Sequence, residues 1–224
     1  MNCTAVILGA GSASRMNGVN KQLLMLKGIP VIMRSALNFE NCPEVTDIII
    51  AVKKDDTKAV EKLCKEYGIT KLKKVCEGGN NRSESALKAF SYTEECDVIA
   101  IHDGARPFAS PALISNVIRD TYENGGAISA VPVKDTIKQV KQGFIEDTPD
   151  RSTLYSAQTP QAFLYEIYSE MVKSTEEVTD DAQLAERLGY KVKITEGSYN
   201  NIKITTPVDV LLGDMILTED EKNV

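Results

Sequence analysis

Short apolar runs at residues 4–8, 47–52, 97–101 and 127–133 recur along the chain, with helix-spaced segments between them. Each run is strand length and apolar almost throughout. That is the pattern of strands buried on both faces, because a strand with one wet face alternates instead. Between the runs, Pro30 precedes Val31, Ile32, Met33, Ala36, Leu37 and Phe39 at helical spacing. Residues 56–67 place Val60, Leu63 and Cys64 on one helical face, and Gly68 stops it. Ser110-Pro111 opens a further helix that ends at Gly125-Gly126. Strand–helix alternation of this kind predicts a mostly parallel, three-layer α/β sheet.

Elsewhere, residues 72–76 read as a short strand, residues 163–172 as a helix and residues 190–195 as a strand. Thr179-Asp180-Asp181 starts a helix that Gly189 stops, and a last helix runs to about Leu217. The texture changes over residues 137–158, which alternate as an antiparallel hairpin would. This stretch is too short for a domain. It reads as a β-arm projecting from a single domain that spans residues 1–224, and such arms commonly complete a homodimer; an ordinary edge hairpin is the plainer alternative.

Composition narrows the function classes. A formal net charge of −6 disfavours a general nucleic-acid binder, so any cationic site must be local. Apolar runs stop at strand length, too short to span a bilayer, and the N-terminus has no signal-peptide pattern, so the cytoplasm is the expected compartment. The chain has 5 cysteines, no Cys-x-x-Cys and 1 histidine, which is poor material for a zinc site or a disulfide framework. The thiols read as reduced packing residues.

The first run ends in Gly9-Ala10-Gly11-Ser12-Ala13-Ser14, followed by Arg15 and Lys21. Strand, small-residue loop and helix start let backbone N–H groups approach a polyphosphate. The dinucleotide fingerprint fails, because Ser14 stands where its third glycine belongs, and no Gly-x-x-x-x-Gly-Lys-Ser/Thr occurs. Gly9 and Gly11 alone are equally compatible with a plain βα turn; Arg15 and Lys21 are the residues such a turn does not need. A second loop of this type, Gly78-Gly79-Asn80-Asn81-Arg82-Ser83-Glu84-Ser85, precedes Ala86, Leu87, Ala89 and Phe90 at helical spacing. Its backbone is a candidate contact for a base or ribose, or it is simply a capped turn. The third run leads into His102-Asp103-Gly104-Ala105-Arg106-Pro107. Ligands of open α/β sheets collect at such carboxyl ends. Asp103 is therefore a candidate for a divalent cation or phosphate site, or a turn residue paired with Arg106, and lone His102 reads as structural. Physics alone reaches a phosphate- or nucleotide-handling α/β enzyme with a cationic cleft.

Those residues, together with Lys21-Gln22, Pro132-Val133-Lys134-Asp135-Thr136, Asp150-Arg151, Gln158-Thr159-Pro160-Gln161, Thr179-Asp180-Asp181-Ala182 and Asn201-Ile202-Lys203-Ile204-Thr205, stand in an order that resembles the 2-C-methyl-D-erythritol 4-phosphate cytidylyltransferases of non-mevalonate isoprenoid biosynthesis. The resemblance runs from residue 4 to about 215. It implies a Rossmann-like α/β/α nucleotidyltransferase fold, with CTP and methylerythritol 4-phosphate as substrates and Mg²⁺ as cofactor. Carried over by position, Arg15 and Lys21 are catalytic and hold the triphosphate, and Asp103 lies near the metal. Ala10, Gly11, Gly79, Asn80, Ser85 and Gly104 bind CTP. Arg106, Thr136, Arg151, Thr159, Thr179 and Lys203 shape the acceptor side, with Arg151 and Lys203 gripping the acceptor phosphate and counted as catalytic too. Thr136 and Arg151 flank the arm, so in a homodimer they serve the own or the neighbouring site. Ala13 and Asn20 depart from the family's usual Gly and Pro, and neither removes a charge. A ribitol 5-phosphate cytidylyltransferase is the nearest alternative, and a catalytically inactive nucleotide-binding module is the next.

Overall fold

The structure, a computed structural model, describes residues 1–11, 22–174 and 178–222. Strand β1 (Cys3–Leu8) opens the chain, and a small ladder of β2 (Met25–Leu26) and β3 (Ile29–Pro30) leads into helix α1 (Val31–Glu40). Then follow β4 (Val45–Val52), α2 (Thr57–Glu66), β5 (Leu72–Glu77), α3 (Arg82–Phe90), β6 (Val98–Asp103), α4 (Pro111–Asn124) and β7 (Gly126–Pro132). A two-strand hairpin, β8 (Gln139–Lys141) with β9 (Phe144–Asp147), precedes the long strand β10 (Tyr155–Leu164). Helices α5 (Tyr165–Met171) and α6 (Asp181–Arg187), strand β11 (Lys193–Glu196) and helix α7 (Pro207–Lys222) finish it.

The main sheet has 7 strands in the order β11-β7-β10-β6-β1-β4-β5. Neighbours are parallel except at β10, which runs antiparallel to both β6 and β7. Period-2 alternation sends successive side chains to opposite faces. Ala5 and Ile7 of β1 join Ile48 and Ile50 of β4 in a core closed by Phe39, Val60 and Ile114, from α1, α2 and α4. Val6, Ile49 and Ile101 join a second core on the other face, closed by Ala86, Tyr168 and Ala185 from α3, α5 and α6. Full burial of each large side chain is worth roughly 1.5–3 kcal/mol, so two such cores lock the three layers. The expected α/β/α architecture is the one observed.

Helix ends follow their signals. Ser110 Oγ accepts from Leu113 N at 3.2 Å, with Pro111 in the first turn, and Gly125 takes φ +87° at the stop. The five cysteines are free, four of them buried.

Several boundaries differ from expectation, and the strand expected over residues 190–195 covers Lys193–Glu196. Residues 163 and 164 close strand β10, and the helix starts only at Tyr165. The main sheet reclaims the chain at Tyr155, inside the stretch assigned to the arm; the separate hairpin covers β8 and β9 alone. The last helix runs past Leu217 to Lys222. Within β10, pairing to β7 breaks between Ala157 and Gln161, and pairing to β6 begins only at Gln161. Pro160, which has no N–H to give a ladder, sits in that gap.

Candidate active site

Chain order places β1 between β4 and β6, so the connections diverge to either side of it. A crevice forms at such a point beyond the carboxyl ends of the strands. Here it is a cleft of about 260 Å³ whose described lining includes Ala10, Gly11, Asn80, Ser85, Asp103 and Lys203.

One wall is the loop between β5 and α3. Gly78 N donates to Val52 O at 2.8 Å, and a Cβ at Gly78 would stand 2.3 Å from that of Ala10. The two small-residue loops therefore touch, and glycine is what permits it. Gly79 N donates to Ser85 Oγ at 2.9 Å, and that hydroxyl donates to Asn81 O at 2.8 Å. Asn81 caps α3, accepting from Glu84 N at 2.8 Å. Lys88 Nζ holds Gly78 O at 2.9 Å.

The second wall is a charge hub on Asp103, the last residue of β6, which Arg82 at the start of α3 joins to the first. Lys203 Nζ lies 2.7 Å from its Oδ2, Arg106 Nε 3.7 Å from the same oxygen, and Arg82 Nε 3.5 Å from Oδ1. Arg82 also reaches Asp181 Oδ2, through Nη1 at 2.5 Å. Burial alone would raise the Asp103 pKa, but Arg82, Lys203 and Arg106 outweigh it and hold the carboxyl well below its usual range. Burial likewise opposes the charge on Arg82, and Asp181 with Asp103 overcomes it and raises that pKa. Both groups are ionised at neutral pH, which a half-buried ion network requires of its members.

Behind the hub runs a buried relay. Asp103 N donates to Thr159 Oγ1 at 3.0 Å, and that hydroxyl lies 3.0 Å from His102 Nδ1. His102 Nε2 is 3.0 Å from Arg106 O, a pure acceptor, so Nε2 carries the proton and Nδ1 accepts from Thr159. Burial lowers the His102 pKa to about 4, so the ring is neutral and structural. Asn201 ties the last loop to this core: Nδ2 donates to Thr159 O at 2.9 Å, while its backbone carbonyl accepts from Arg106 Nη1 at 2.8 Å. Gln161 of β10 fixes α6, since its Oε1 accepts from Asp181 N at 3.1 Å and Ala182 N at 3.2 Å.

The structure thus gathers Ala10, Gly11, Gly79, Asn80, Ser85, Asp103 and Lys203 at one cleft. Gly104 packs beneath it, donating to Leu8 O at 2.8 Å. Arg106 and Thr159 reach the site through Asp103. Thr136, Arg151 and Thr179 lie outside the described lining. Arg151 is exposed and donates to Lys134 O at 2.7 Å, and Thr179 N donates to Gln183 Oε1 at 3.0 Å. Arg15 and Lys21, with Ala13 and Asn20, fall outside the described residues. Two charged members of the hub, Arg82 and Asp181, received no role from the sequence. Their signal was present: each is a charge in the first turn of a helix, inside a stretch that the family pattern already included.

The model of the family described as 2-C-methyl-D-erythritol 4-phosphate cytidylyltransferase matches residues 3–219. The chain belongs to that family. A Lysinibacillus sphaericus protein of that name is 40% identical over 222 residues, covering 97% of this chain and 96% of that protein. One from Shouchella clausii, also so named, is 40% identical over 226 residues, with 99% of each covered. Among solved structures, the 4-diphosphocytidyl-2C-methyl-D-erythritol synthase of Anaerococcus prevotii DSM 20548 is similar with a TM-score of 0.85 at 30% identity, covering 96% of both chains. Membership accounts for the three-layer fold and for small-residue loops facing a cationic strand end.

Proposed function

We propose that the chain transfers the cytidylyl group of CTP to 2-C-methyl-D-erythritol 4-phosphate, giving 4-diphosphocytidyl-2-C-methyl-D-erythritol and pyrophosphate in non-mevalonate isoprenoid biosynthesis. The observation that carries this reading is the cleft itself: small-residue loops lining it together with Arg82, Asp103 and Lys203, and Arg106 held behind it on Asp103. An acceptor phosphate oxygen attacks the α-phosphorus, the bond to the β-phosphate oxygen breaks, and pyrophosphate leaves. Anion meets anion, so charge neutralisation and in-line positioning supply the catalysis, with no covalent nucleophile.

Ala10, Gly11, Gly79, Asn80, Ser85 and Gly104 are assigned to the nucleotide. Arg15 and Lys21 are assigned to the triphosphate by their place in the family pattern. Lys203, Arg106, Thr159, Thr136, Arg151 and Thr179 form the acceptor side. Thr136 and Arg151 flank the hairpin, and in a homodimer built through it they serve their own or the neighbouring site. The hairpin offers apolar surface for it, with Val140 57%, Phe144 80% and Ile145 64% exposed.

Among the described residues no group of three His, Cys, Asp or Glu makes a metal site. Asp103 nonetheless fits Mg²⁺ shared with nucleotide phosphates, which asks for one or two carboxylates: it is ionised, and Lys203 sits on Oδ2 while only Arg82, at 3.5 Å, faces Oδ1. Such an ion supplies neutralisation of phosphate charge. The cytoplasm is the compartment we assign with this reading. No helix of the described residues is long and apolar enough to cross a membrane.

The test is pyrophosphate release with CTP and Mg²⁺, offering methylerythritol 4-phosphate and ribitol 5-phosphate in parallel. Release with the first acceptor alone supports the assignment. Release with ribitol 5-phosphate replaces the acceptor, and CTP binding without release leaves a nucleotide-binding module.

A further inference from the structure

The loop between β5 and α3 carries two adjacent asparagines that the fold uses differently. Asn81 is occupied at both ends of its amide: Oδ1 accepts from Glu84 N, and Nδ2 donates to Glu84 Oε1 at 3.2 Å. Asn80 is occupied at one end. Its Nδ2 donates to Glu84 Oε2 at 2.9 Å, and its backbone N donates to the same oxygen at 2.8 Å. No described residue donates to Asn80 Oδ1, and Asn80 lines the cleft. A carboxylate only accepts, so the edge of Asn80 that meets Glu84 has to be its NH₂. The carbonyl oxygen is left for whatever enters the cleft.

The loop's backbone donors from Gly78 to Asn80 are taken. Gly78 N is taken by Val52 O, Gly79 N by Ser85 Oγ and Asn80 N by Glu84. Three consecutive backbone donors are consumed inside the protein, while one side-chain acceptor stands unused on the wall.

We propose that Glu84 is a positioning residue that sets base specificity: by pinning the Asn80 amide it presents an acceptor, Asn80 Oδ1, which selects a pyrimidine bearing an exocyclic amino group over one bearing a carbonyl at that position. The inference rests on the cytidylyl reading above. Cytosine meets Asn80 Oδ1 with an N–H donor. Uracil meets it oxygen to oxygen, and a site built for one hydrogen-bond polarity rejects the opposite one strongly.

The experiment compares kcat/KM for CTP and UTP in pyrophosphate release with methylerythritol 4-phosphate, alongside thermal melting of each variant. Glu84→Gln lets the Asn80 amide turn over, and the CTP-to-UTP ratio is expected to fall by about tenfold or more. Asn80→Ala lowers the ratio as well, and combining the two lowers it no further. Asn80→Asp presents oxygen whichever way it turns, so adding it to Glu84→Gln restores the ratio. A role confined to holding the loop would slow both nucleotides equally and leave the ratio untouched in Glu84→Gln; that result overturns the proposal. So does an unchanged ratio in Asn80→Ala, which places base reading elsewhere. An unmodified enzyme that prefers UTP, or releases nothing with CTP, fails the cytidylyl reading itself and is recognised before any variant is made.

Discussion

The two walls of the cleft hold their polar groups by opposite means. On the β5–α3 side nearly every donor and acceptor is satisfied by a neighbour within a few residues, as with Gly79, Ser85, Asn81 and Glu84. Around Asp103 the groups come from four parts of the chain, Arg82 at the start of α3, Asp103 with Arg106, Asp181, and Lys203, and the contacts are charge against charge. The first wall is pre-formed and rigid by local chemistry. The second is a set of cations whose counter-ions are carboxylates. On the cytidylyl reading proposed above, one wall recognises a neutral base edge and the other neutralises charge in a transition state.

Substitutions of the site's charged residues should have the largest effects. Arg15→Ala and Lys21→Ala are expected to abolish turnover in the pyrophosphate assay while circular dichroism stays unchanged. Lys203→Ala should lower kcat by about 10²–10³-fold, the usual loss for a donor aimed at developing charge; an unchanged kcat would remove Lys203 from the reaction. Asp181→Asn leaves Arg82 with one carboxylate instead of two. Breaking a buried pair from one side costs about 3 kcal/mol, so urea unfolding should shift to lower denaturant. A shift of that size in Ser85→Ala instead would invert the contrast between the walls.

The relay behind the hub gives a pH signature. The His102 pKa is near 4 in the folded protein, against 6.5 as the ordinary value. Between those values the unfolded chain binds the extra proton, so stability is lost as pH falls through that window. From pH 7 to pH 5 the loss from this group is about 2 kcal/mol. Carboxylates held low, such as Asp103, lose their contribution only at more acid pH. His102→Asn should flatten the pH 5–7 slope in chemical denaturation; a slope that persists assigns it to other groups. Smallest is Arg151→Ala, expected to raise KM for the acceptor about tenfold and KM for CTP little. Equal effects on both would remove Arg151 from the acceptor side.

Much of this was legible in the chain. Residues 47–52 and 97–101 could only be buried strands, and Ser110-Pro111 could hardly be anything but a helix start. Strand β10 was not legible. Its middle reads Gln158-Thr159-Pro160-Gln161, polar and with a proline, and such a run argues against a central strand. The sheet admits it because ladder pairing is suspended at Pro160, and the polar side chains turn to Asn201, His102 and the start of α6. The hub was half legible. Charges at strand ends and helix starts were visible, but which carboxylate faces which guanidinium depends on tertiary placement that local pattern does not encode. Glu84 went unremarked because a Glu in a first helical turn is ordinary; what it does to Asn80 appears only once both are in space.

The antiparallel course of β10 also governs what lies between it and β7. Tyr155 stands opposite Pro132 and Ser156 opposite Val131, so the chain leaves the sheet and comes back at one doorway. Whatever is threaded through that doorway adds length without moving a single core strand. Gln161 stands level with both Ile101 and Ile128, so the doorway opens at the same carboxyl edge of the sheet as the cleft: a splice there spares the core strands and changes what overhangs the site.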